Sequence, residues 1–201
     1  MDIPSSLTAE EILIRSGNIG SIKIAQKVGL ENFKDFLENL DLLNKIQFDI
    51  EEVGNPIPFK WGKCKLATSA YGHGITTTPL QLAKAYAIIA NGGYKIKPTL
   101  IKKEKILKKG EQIITQENSN KINEILRKIV TSEQGTANLA NIAGYEIAGK
   151  TGTAQKSIKG NYSKKKINTF AAIFPISSPK YVLIVLLDEP KLSESYIYKY
   201  N

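Results

Sequence analysis

The sequence has very few of the residues on which several common site types depend. Cys64 is the only cysteine among 201 residues, so a disulfide framework is excluded. His73 is the only histidine, which excludes a zinc site built from cysteine and histidine. A single histidine also leaves little room for a Ser-His-Asp or Cys-His catalyst. We therefore expect neither a metal ion nor a cofactor.

Long apolar runs are missing as well. The longest uninterrupted run, Tyr181 to Leu187, has seven residues, whereas a helix that crosses a bilayer needs roughly 20. The first residues, Met1 to Ser6, show no basic stretch followed by an apolar one, which is the pattern of a signal peptide. The sequence as given therefore shows no membrane or targeting segment.

Arginine is scarce although the net charge is strongly positive. The chain has 28 Lys and Arg against 19 Asp and Glu, a formal charge of +9, yet only Arg15 and Arg127 are arginine. Arginine is the preferred residue for bidentate contacts with phosphates and base edges. The charge is therefore weak support for nucleic-acid binding, and a coding bias toward lysine explains it better.

The chain up to residue 132 is mainly a series of predicted helices. Thr8 and Glu11 have the spacing of a capping box, and Thr78 and Gln81 repeat it before a helix that is apolar on nearly all sides. The predicted helices cover about 8–14, 19–28, 31–40, 79–90 and 119–132. Residues 41–66 are predicted to be irregular, and 94–115 to form a strand with a turn at Lys108-Lys109-Gly110.

The C-terminal part predicts three strands, at about 145–157, 167–174 and 181–188, separated by polar turns. A group of helices followed by a meander of strands indicates an α+β fold. In such a fold the strands form an antiparallel sheet, and the helices flank it.

The segment Lys150-Thr151-Gly152-Thr153 is the strongest candidate for a functional site. An ammonium group and two hydroxyls surround a glycine on a predicted edge strand. Because Gly152 has no side chain to keep a ligand off the backbone, the strand can accept an extended peptide while the polar groups hold a carboxylate. The alternative is a threonine-rich strand with a glycine bulge and no ligand.

Two other segments are weaker candidates. Ser16-Gly17-Asn18 is a small polar group at a predicted helix break, where serine and asparagine usually act as helix caps. The glycines between Tyr71 and Leu82 indicate a flexible loop that leads into the buried helix. His73 in this loop could act as a general base, but a histidine with a local hydrogen bond is the simpler interpretation.

Taken together and in this order, the three segments resemble the transpeptidase domain of class B penicillin-binding proteins, most closely the division-type peptidoglycan D,D-transpeptidases. That superfamily is defined by Ser-x-x-Lys, Ser-x-Asn and Lys-Thr-Gly motifs. Ser16-Gly17-Asn18 matches the second motif and Lys150-Thr151-Gly152 the third. The stretch from Tyr71 to Gly93 and the strands that end at Leu187-Asp188-Glu189-Pro190 also resemble the family. The resemblance implies part of the fold shared by penicillin-binding proteins and serine β-lactamases.

The resemblance also implies a reaction and its catalytic residues. In that family the serine of Ser-x-x-Lys attacks the penultimate D-alanine carbonyl of a stem peptide, its lysine takes the proton, and D-alanine leaves. An amine of a neighbouring stem then resolves the acyl-enzyme, and β-lactams acylate the same serine. Ser16 would relay protons to the leaving group, Asn18 would bind the acyl chain, and Lys150 would support the relay electrostatically.

The third motif would also bind the substrate. Thr151 and Thr153 would hold the terminal carboxylate of a stem peptide ending in D-Ala-D-Ala, with Gly152 between them. The backbone N–H of Thr153 would be one donor to the oxyanion. The expected ligands are therefore peptidoglycan stem peptides and β-lactams, and no nucleic acid.

The Ser-x-x-Lys motif is not found where the family has it. Residue 1 lies only 15 positions before Ser16, and the family places the motif well upstream. Ser163 to Lys166 and Ser177 to Lys180 match the pattern, but they follow the third motif, in a lysine-rich turn and a proline turn, and we reject both. We therefore expect residues 1–201 to be the C-terminal part of the domain. The nucleophile helix, N-terminal pedestal, membrane anchor and final helix would be absent, and the chain alone inactive.

Several expectations concern the parent protein. It would act at the extracytoplasmic face of the bacterial inner membrane, attached only through the missing anchor, and bind division or elongation proteins. The alternatives are a D,D-carboxypeptidase or penicillin sensor, a non-catalytic module that binds peptidoglycan peptides, and a nucleic-acid-binding module. Without the nucleophile helix, the 79–90 helix and the sheet would expose apolar surface.

Overall fold

The structure is a computed structural model, and it describes residues 4, 6–51, 54, 56–57, 60–62, 64–102, 109–158 and 161–191. Within this part of the chain the helices come first and the strands last. The helices are α1 (Ala9–Ile14), α2 (Asn18–Val28), α3 (Leu30–Asn39), α4 (Lys65–Ser69), α5 (Pro79–Ala90) and α6 (Gln116–Thr131), with a short 3-10 helix at Asn138–Ala140. The strands are β1 (Ala148–Ile158), β2 (Asn161–Phe174) and β3 (Tyr181–Asp188).

The three strands form an antiparallel meander in the order β1-β2-β3. Lys150 is paired with Ala171, and Ala171 with Ile184, so the register runs straight across the sheet. In the described part of the chain β1 has a neighbour on one side only, so the outer side of β1 is an open edge. The predicted α+β fold, its antiparallel sheet and the edge position of the Lys150 segment are confirmed.

The main hydrophobic core lies between the sheet and α6. Ile129 and Val130 of α6 and Ile173 of β2 are completely buried. Ile14, at the end of α1, and Ala148, at the start of β1, belong to the same cluster. Each fully buried isoleucine contributes roughly 1.5–3 kcal/mol. The core therefore holds the end of α1 and the start of β1 against one helix.

Helix α5 begins with the capping box that the sequence predicts. The Thr78 hydroxyl accepts from the Gln81 N–H (3.2 Å), and the Gln81 side-chain oxygen accepts from the Thr78 N–H (2.9 Å). Gln81 is also completely buried, and its Nε2 donates to the carbonyls of Asp41 (2.9 Å) and Asn44 (2.7 Å). One side chain therefore caps α5 and attaches the segment that follows α3.

The strand predicted for residues 94–115 is wrong in the part that the structure describes. Tyr94 and Gln112 form a single antiparallel bridge, and residues 103–108, with Lys108 of the predicted turn, lie outside the described residues. Pro98 has no N–H to give to a ladder. Beyond it, the Asp49 carboxylate accepts from the Thr99 hydroxyl and from the Leu100 N–H. A side chain, not a neighbouring strand, holds this stretch.

Other differences concern element boundaries. Helix α6 begins at Gln116 and not at 119, because the Thr115 hydroxyl accepts from the Asn118 N–H (3.2 Å) and caps the helix there. Strand β2 begins at Asn161 and not at 167, since its polar first half has no apolar alternation to detect. Helix α4 and the 3-10 helix were not predicted. Strand β3 has the predicted bounds.

One face of β3 is exposed. The alternate residues Tyr181, Leu183, Val185 and Leu187 share a face of the strand, and their exposed fractions are 60, 47, 41 and 54%. This agrees with the expectation of apolar surface on the sheet. Helix α5, in contrast, is buried or half-buried at every residue except Pro79, so it exposes less apolar surface than β3 does. The described helices include none with the length and apolar character needed to cross a membrane.

The substitution Gln81→Glu tests the junction around Gln81. It keeps the shape of the side chain but replaces two N–H donors with a carboxylate oxygen that faces the carbonyls of Asp41 and Asn44. We expect the free energy of unfolding to fall by about 2–4 kcal/mol at pH 7. Burial raises the carboxyl pKa in the folded state, so the loss should be full above that pKa and smaller near pH 4. Urea denaturation followed by circular dichroism measures both.

Gln116→Glu is the matched control. Gln116 is exposed in the first turn of α6, where a carboxylate interacts favourably with the helix dipole. We expect its free energy of unfolding to change by less than about 0.5 kcal/mol. Equal losses in the two variants would contradict the importance of the buried junction.

Candidate active site

A cavity of about 940 Å³ lies among the turn between α1 and α2, the loop before α5 and strand β1. It contains every site residue that the sequence predicted. These are Ser16, Asn18, Lys150, Thr151, Gly152 and Thr153. The two motifs meet because α1 and β1 both pack against α6. Among the described residues no group of three His, Cys, Asp or Glu side chains could hold a metal ion.

A hydrogen bond inside the cavity joins the two motifs. Lys150 Nζ donates to Ser16 Oγ at 2.8 Å and to the backbone carbonyl of Thr151 at 2.9 Å. In the described part of the chain no carboxylate forms an ion pair with this amine. Burial lowers the pKa of Lys150 from its ordinary value of 10.5 to about 8. Lys150 is therefore a cation at neutral pH that can give up its proton under mildly alkaline conditions.

The backbone turn after α1 presents the Ser16 hydroxyl to Lys150. Ser16 has a left-handed backbone conformation, with φ +57°, which is uncommon for a residue other than glycine. Its N–H donates to the Leu13 carbonyl (3.2 Å), as expected at a helix end. The N-cap of α2 is Gly17, and Asn18 is the first residue of the helix. Neither Ser16 nor Asn18 is therefore a side-chain N-cap of α2, while the backbone of Ser16 ends α1 in the left-handed conformation common after helices.

Close packing between α1 and α2 sets the place of Asn18. A Cβ on Gly20 would lie 2.6 Å from the Ile12 side chain, so glycine is the residue that permits this approach. The Gly17 N–H also donates to the Ile12 carbonyl at 2.9 Å. Both contacts fix the first turn of α2 against α1, and the exposed Asn18 faces the cavity from this turn.

The hydroxyls of Thr151 and Thr153 lie on one face of β1, and each has a partner that the sequence did not indicate. Thr151 Oγ1 is 2.8 Å from Thr136 Oγ1. Thr153 Oγ1 accepts from Asn168 Nδ2 at 3.3 Å. A Cβ on Gly152 would meet no atom within 4 Å, so the space in front of the strand is open there.

Thr136 is held firmly by the loop between α6 and β1. Its neighbours Gly135 and Ala137 are buried, and the Ala137 N–H donates to the Ile129 carbonyl at 3.3 Å. A Cβ on Gly135 would lie 2.1 Å from that same carbonyl oxygen. No sequence spacing links Thr136 with Thr151. Asn168, in contrast, is directly opposite Thr153 in the sheet, so a correct prediction of the strand register would have identified it.

The loop before α5 forms another wall of the cavity. Tyr71 and His73 line it, and their rings are 4.9 Å apart. The His73 N–H donates to the Thr68 carbonyl at 2.9 Å. Gly72 and Gly74 on either side have φ of +85° and +78°, conformations that favour glycine. The interpretation of His73 as a histidine with a local hydrogen bond concerns its imidazole, which this backbone bond does not test.

The two chance matches to Ser-x-x-Lys lie away from the cavity. Ser163 is in strand β2 and not in the predicted lysine-rich turn. Ser177 is in the turn between β2 and β3, as predicted, and its hydroxyl donates to Glu146. Neither serine begins a helix, and neither lines the cavity.

The substitution Lys150→Met tests the burial of this amine. The pKa of Lys150 is lower in the folded than in the unfolded state, so the unfolded chain binds more protons between about pH 8 and 10.5. Wild-type stability should therefore rise with pH across this window. At pH 7 the variant should be more stable than wild type by about 1–3 kcal/mol, and the difference should shrink by pH 9.5. Urea denaturation at both pH values measures it.

Lys97→Met is the control for this comparison because Lys97 is exposed. We expect its stability to follow that of the wild type at both pH values within about 0.5 kcal/mol. A Lys150→Met variant that is less stable than wild type at pH 7 would show that the hydrogen bonds of the amine outweigh its desolvation.

Comparison with known proteins supports this geometry. The penicillin binding protein transpeptidase domain profile matches residues 2–200. The chain is 31% identical over 196 residues to the probable peptidoglycan D,D-transpeptidase FtsI of Caulobacter vibrioides, covering 92% of this chain and 33% of the relative. It is 32% identical over 224 residues to the peptidoglycan D,D-transpeptidase FtsI homolog of Mesostigma viride, covering 97% of this chain and 38% of the relative.

A solved structure shows the same fold. The crystal structure of Mycobacterium penicillin-binding protein 3, complexed with aztreonam, has a TM-score of 0.82 and 28% sequence identity. The match covers 91% of this chain and 45% of that one. The chain thus spans between a third and a half of the length of these proteins. With a profile match over nearly all of its residues, the chain belongs to the family of penicillin-binding protein transpeptidase domains.

Proposed function

We propose that the chain is part of a peptidoglycan D,D-transpeptidase that cross-links stem peptides in cell-wall synthesis, at septation. The observation that carries the proposal is the convergence of Ser16, Lys150 and the two threonines of β1 on one cavity beside an open strand edge. The names of the two relatives, both peptidoglycan D,D-transpeptidases, support the same reaction.

The substrate would bind along the outer edge of β1. An extended peptide can add to this edge through backbone hydrogen bonds, and the open space at Gly152 lets it approach closely. Its terminal carboxylate would then lie near the hydroxyls of Thr151 and Thr153 and the ammonium of Lys150. These groups supply hydrogen-bond donors and one positive charge, which a carboxylate prefers. A penicillin carries a carboxylate of the same kind, and a related structure of penicillin-binding protein 3 is a complex with ampicillin.

Ser16 and Lys150 would handle the proton of the leaving group. Ser16 Oγ accepts from Lys150 Nζ, so the hydrogen of the hydroxyl is left to donate to another group in the cavity. In the proposed reaction that group is the nitrogen of the departing D-alanine, and Lys150 then restores the proton on Ser16. A Lys150 pKa of about 8 favours such an exchange near neutral pH. Asn18 would hydrogen-bond the acyl chain.

The acylated serine itself would come from a Ser-x-x-Lys segment outside these 201 residues. The proposal rests on the positions of Ser163 and Ser177, which lie away from the cavity. On this basis residues 1–201 are the C-terminal part of the transpeptidase domain and are inactive alone. The parent protein would act at the extracytoplasmic face of the membrane, with an N-terminal anchor and division or elongation proteins as partners.

The carboxylate site can be tested in the chain as it is. An acetylated peptide ending in D-Ala-D-Ala should shift the backbone amide signals of Gly152 and Thr153 in NMR spectra of the ¹⁵N-labelled chain. The same peptide with a C-terminal amide should bind more weakly, by about tenfold or more, because it lacks the charge that Lys150 and the hydroxyls recognise. The double substitution Thr151→Val and Thr153→Val should reduce this preference and leave only the part that comes from the charge of Lys150.

Thr131→Val is the matched control, since Thr131 is exposed at the end of α6 and its hydroxyl donates only locally, to the Arg127 carbonyl. It should leave the preference unchanged. Equal binding of the two peptides by the wild-type chain would overturn the proposed substrate site.

A fluorescent penicillin tests the missing nucleophile. We expect no covalent label on the wild-type chain after denaturing electrophoresis, while a complete class B penicillin-binding protein in the same assay is labelled. Covalent labelling that is lost in Ser163→Ala or Ser177→Ala would show that one of these serines is the nucleophile. Peptide binding without labelling would also fit a non-catalytic binding module, and cross-linking activity of the parent protein separates the two.

A further inference from the structure

We propose that Asn168 is a positioning residue that makes the site prefer a carboxylate by setting the direction of the Thr153 hydroxyl. This inference rests on the proposed function and adds to it a residue outside the three motifs. Asn168 lies on β2 directly opposite Thr153, and both side chains line the cavity. Residues that are directly opposite in an antiparallel pair place their side chains on the same face.

The direction of the Thr153 hydroxyl follows from the hydrogen-bonding groups of Thr153 and Asn168. A threonine hydroxyl has one hydrogen to donate and two lone pairs that accept. Asn168 Nδ2 is a donor only, and it donates to Thr153 Oγ1 at 3.3 Å. This contact occupies a lone pair, so the hydroxyl hydrogen turns away from Asn168. The hydrogen is then available to an acceptor in the cavity.

The neighbouring threonine has no such constraint. Thr151 Oγ1 contacts Thr136 Oγ1 at 2.8 Å, and either hydroxyl of that pair can be the donor. The Thr151 hydroxyl can therefore face a ligand as donor or as acceptor. Of the two threonine hydroxyls on β1, only Thr153 has a partner that fixes it as a donor.

A group that only accepts hydrogen bonds benefits most from this arrangement. A carboxylate accepts through both oxygens and has no hydrogen of its own. A carboxamide presents N–H groups, which need an acceptor. Asn168 thus favours a C-terminal carboxylate over the uncharged amide, in addition to the charge of Lys150. Half-buried Asn168 would perform this role through its contact with Thr153.

The substitution Asn168→Asp reverses the direction of the hydroxyl. An ionised aspartate only accepts, so the Thr153 hydrogen would point toward it and no longer into the cavity. The acetylated D-Ala-D-Ala peptide should then bind at least about tenfold more weakly, while the amide-ended peptide loses less than about twofold. NMR titration of the backbone amides of Gly152 and Thr153 measures both affinities. An unchanged preference in Asn168→Asp would overturn the inference.

Two further variants separate direction from charge. Asn168→Leu adds no charge and leaves the Thr153 hydroxyl to rotate, so the preference should fall by about threefold. In a Thr153→Val background, Asn168→Asp should reduce carboxylate binding only through its charge, an effect that 0.5 M salt weakens. A purely structural role would instead weaken both peptides equally and lower the unfolding temperature. If Asn168→Asp does not fold, Asn168→Leu decides alone.

Failure of the inference can be told apart from failure of the proposed function. A wild-type chain that binds the two peptides equally contradicts the carboxylate site itself. A wild-type chain that prefers the carboxylate, together with Asn168 variants that keep the full preference, contradicts only the role of Asn168.

Discussion

The hydrogen bond from Lys150 to Ser16 is the contact on which the site depends. It joins residues 134 positions apart, one after the first helix and the other on the first strand. Ile14 and Ala148 are both buried against α6, and Ser16 and Lys150 follow them at the same short separation. The two polar partners are therefore placed by two apolar anchors on a common helix. A change in the packing of α6 would move both partners relative to each other.

The residues of the site are less favourable for stability than those of the core. Lys150 is a half-buried cation that has no carboxylate partner among the described residues, and Ser16 has a backbone conformation that usually belongs to glycine. Both features have a cost in stability, which for a residue in the left-handed region is about 1–3 kcal/mol. The fully buried Ile129 and Ile173 nearby offset it. This combination is typical of a site whose geometry is imposed by the surrounding fold.

Local signals allowed part of this structure to be predicted. The capping box of Thr78 and Gln81 and the apolar run of β3 involve neighbours in sequence, and both elements have the predicted bounds. The motif residues were identified through resemblance, and the packing that brings them together depends on distant segments. Thr136 and Asn168 were missed for that reason, since their roles come from the loop after α6 and from the strand register. The strand predicted from Tyr94 onward was wrong because alternation alone does not supply a pairing partner.

The scarcity of arginine bears on how the proposed site would hold its substrate. An arginine fork binds a carboxylate through two parallel hydrogen bonds with a permanent charge. The described part of the cavity offers other groups for a carboxylate, namely a lysine with a pKa of about 8 and two threonine hydroxyls. Tighter binding of substrate and transition state alike would not accelerate the chemical step. In the proposed reaction, a terminal D-alanine that leaves after acyl transfer would be better served by modest contacts whose direction is set by neighbours such as Asn168. Specificity for the carboxylate would then come from the orientation of donors together with the charge of Lys150, and release would stay easy.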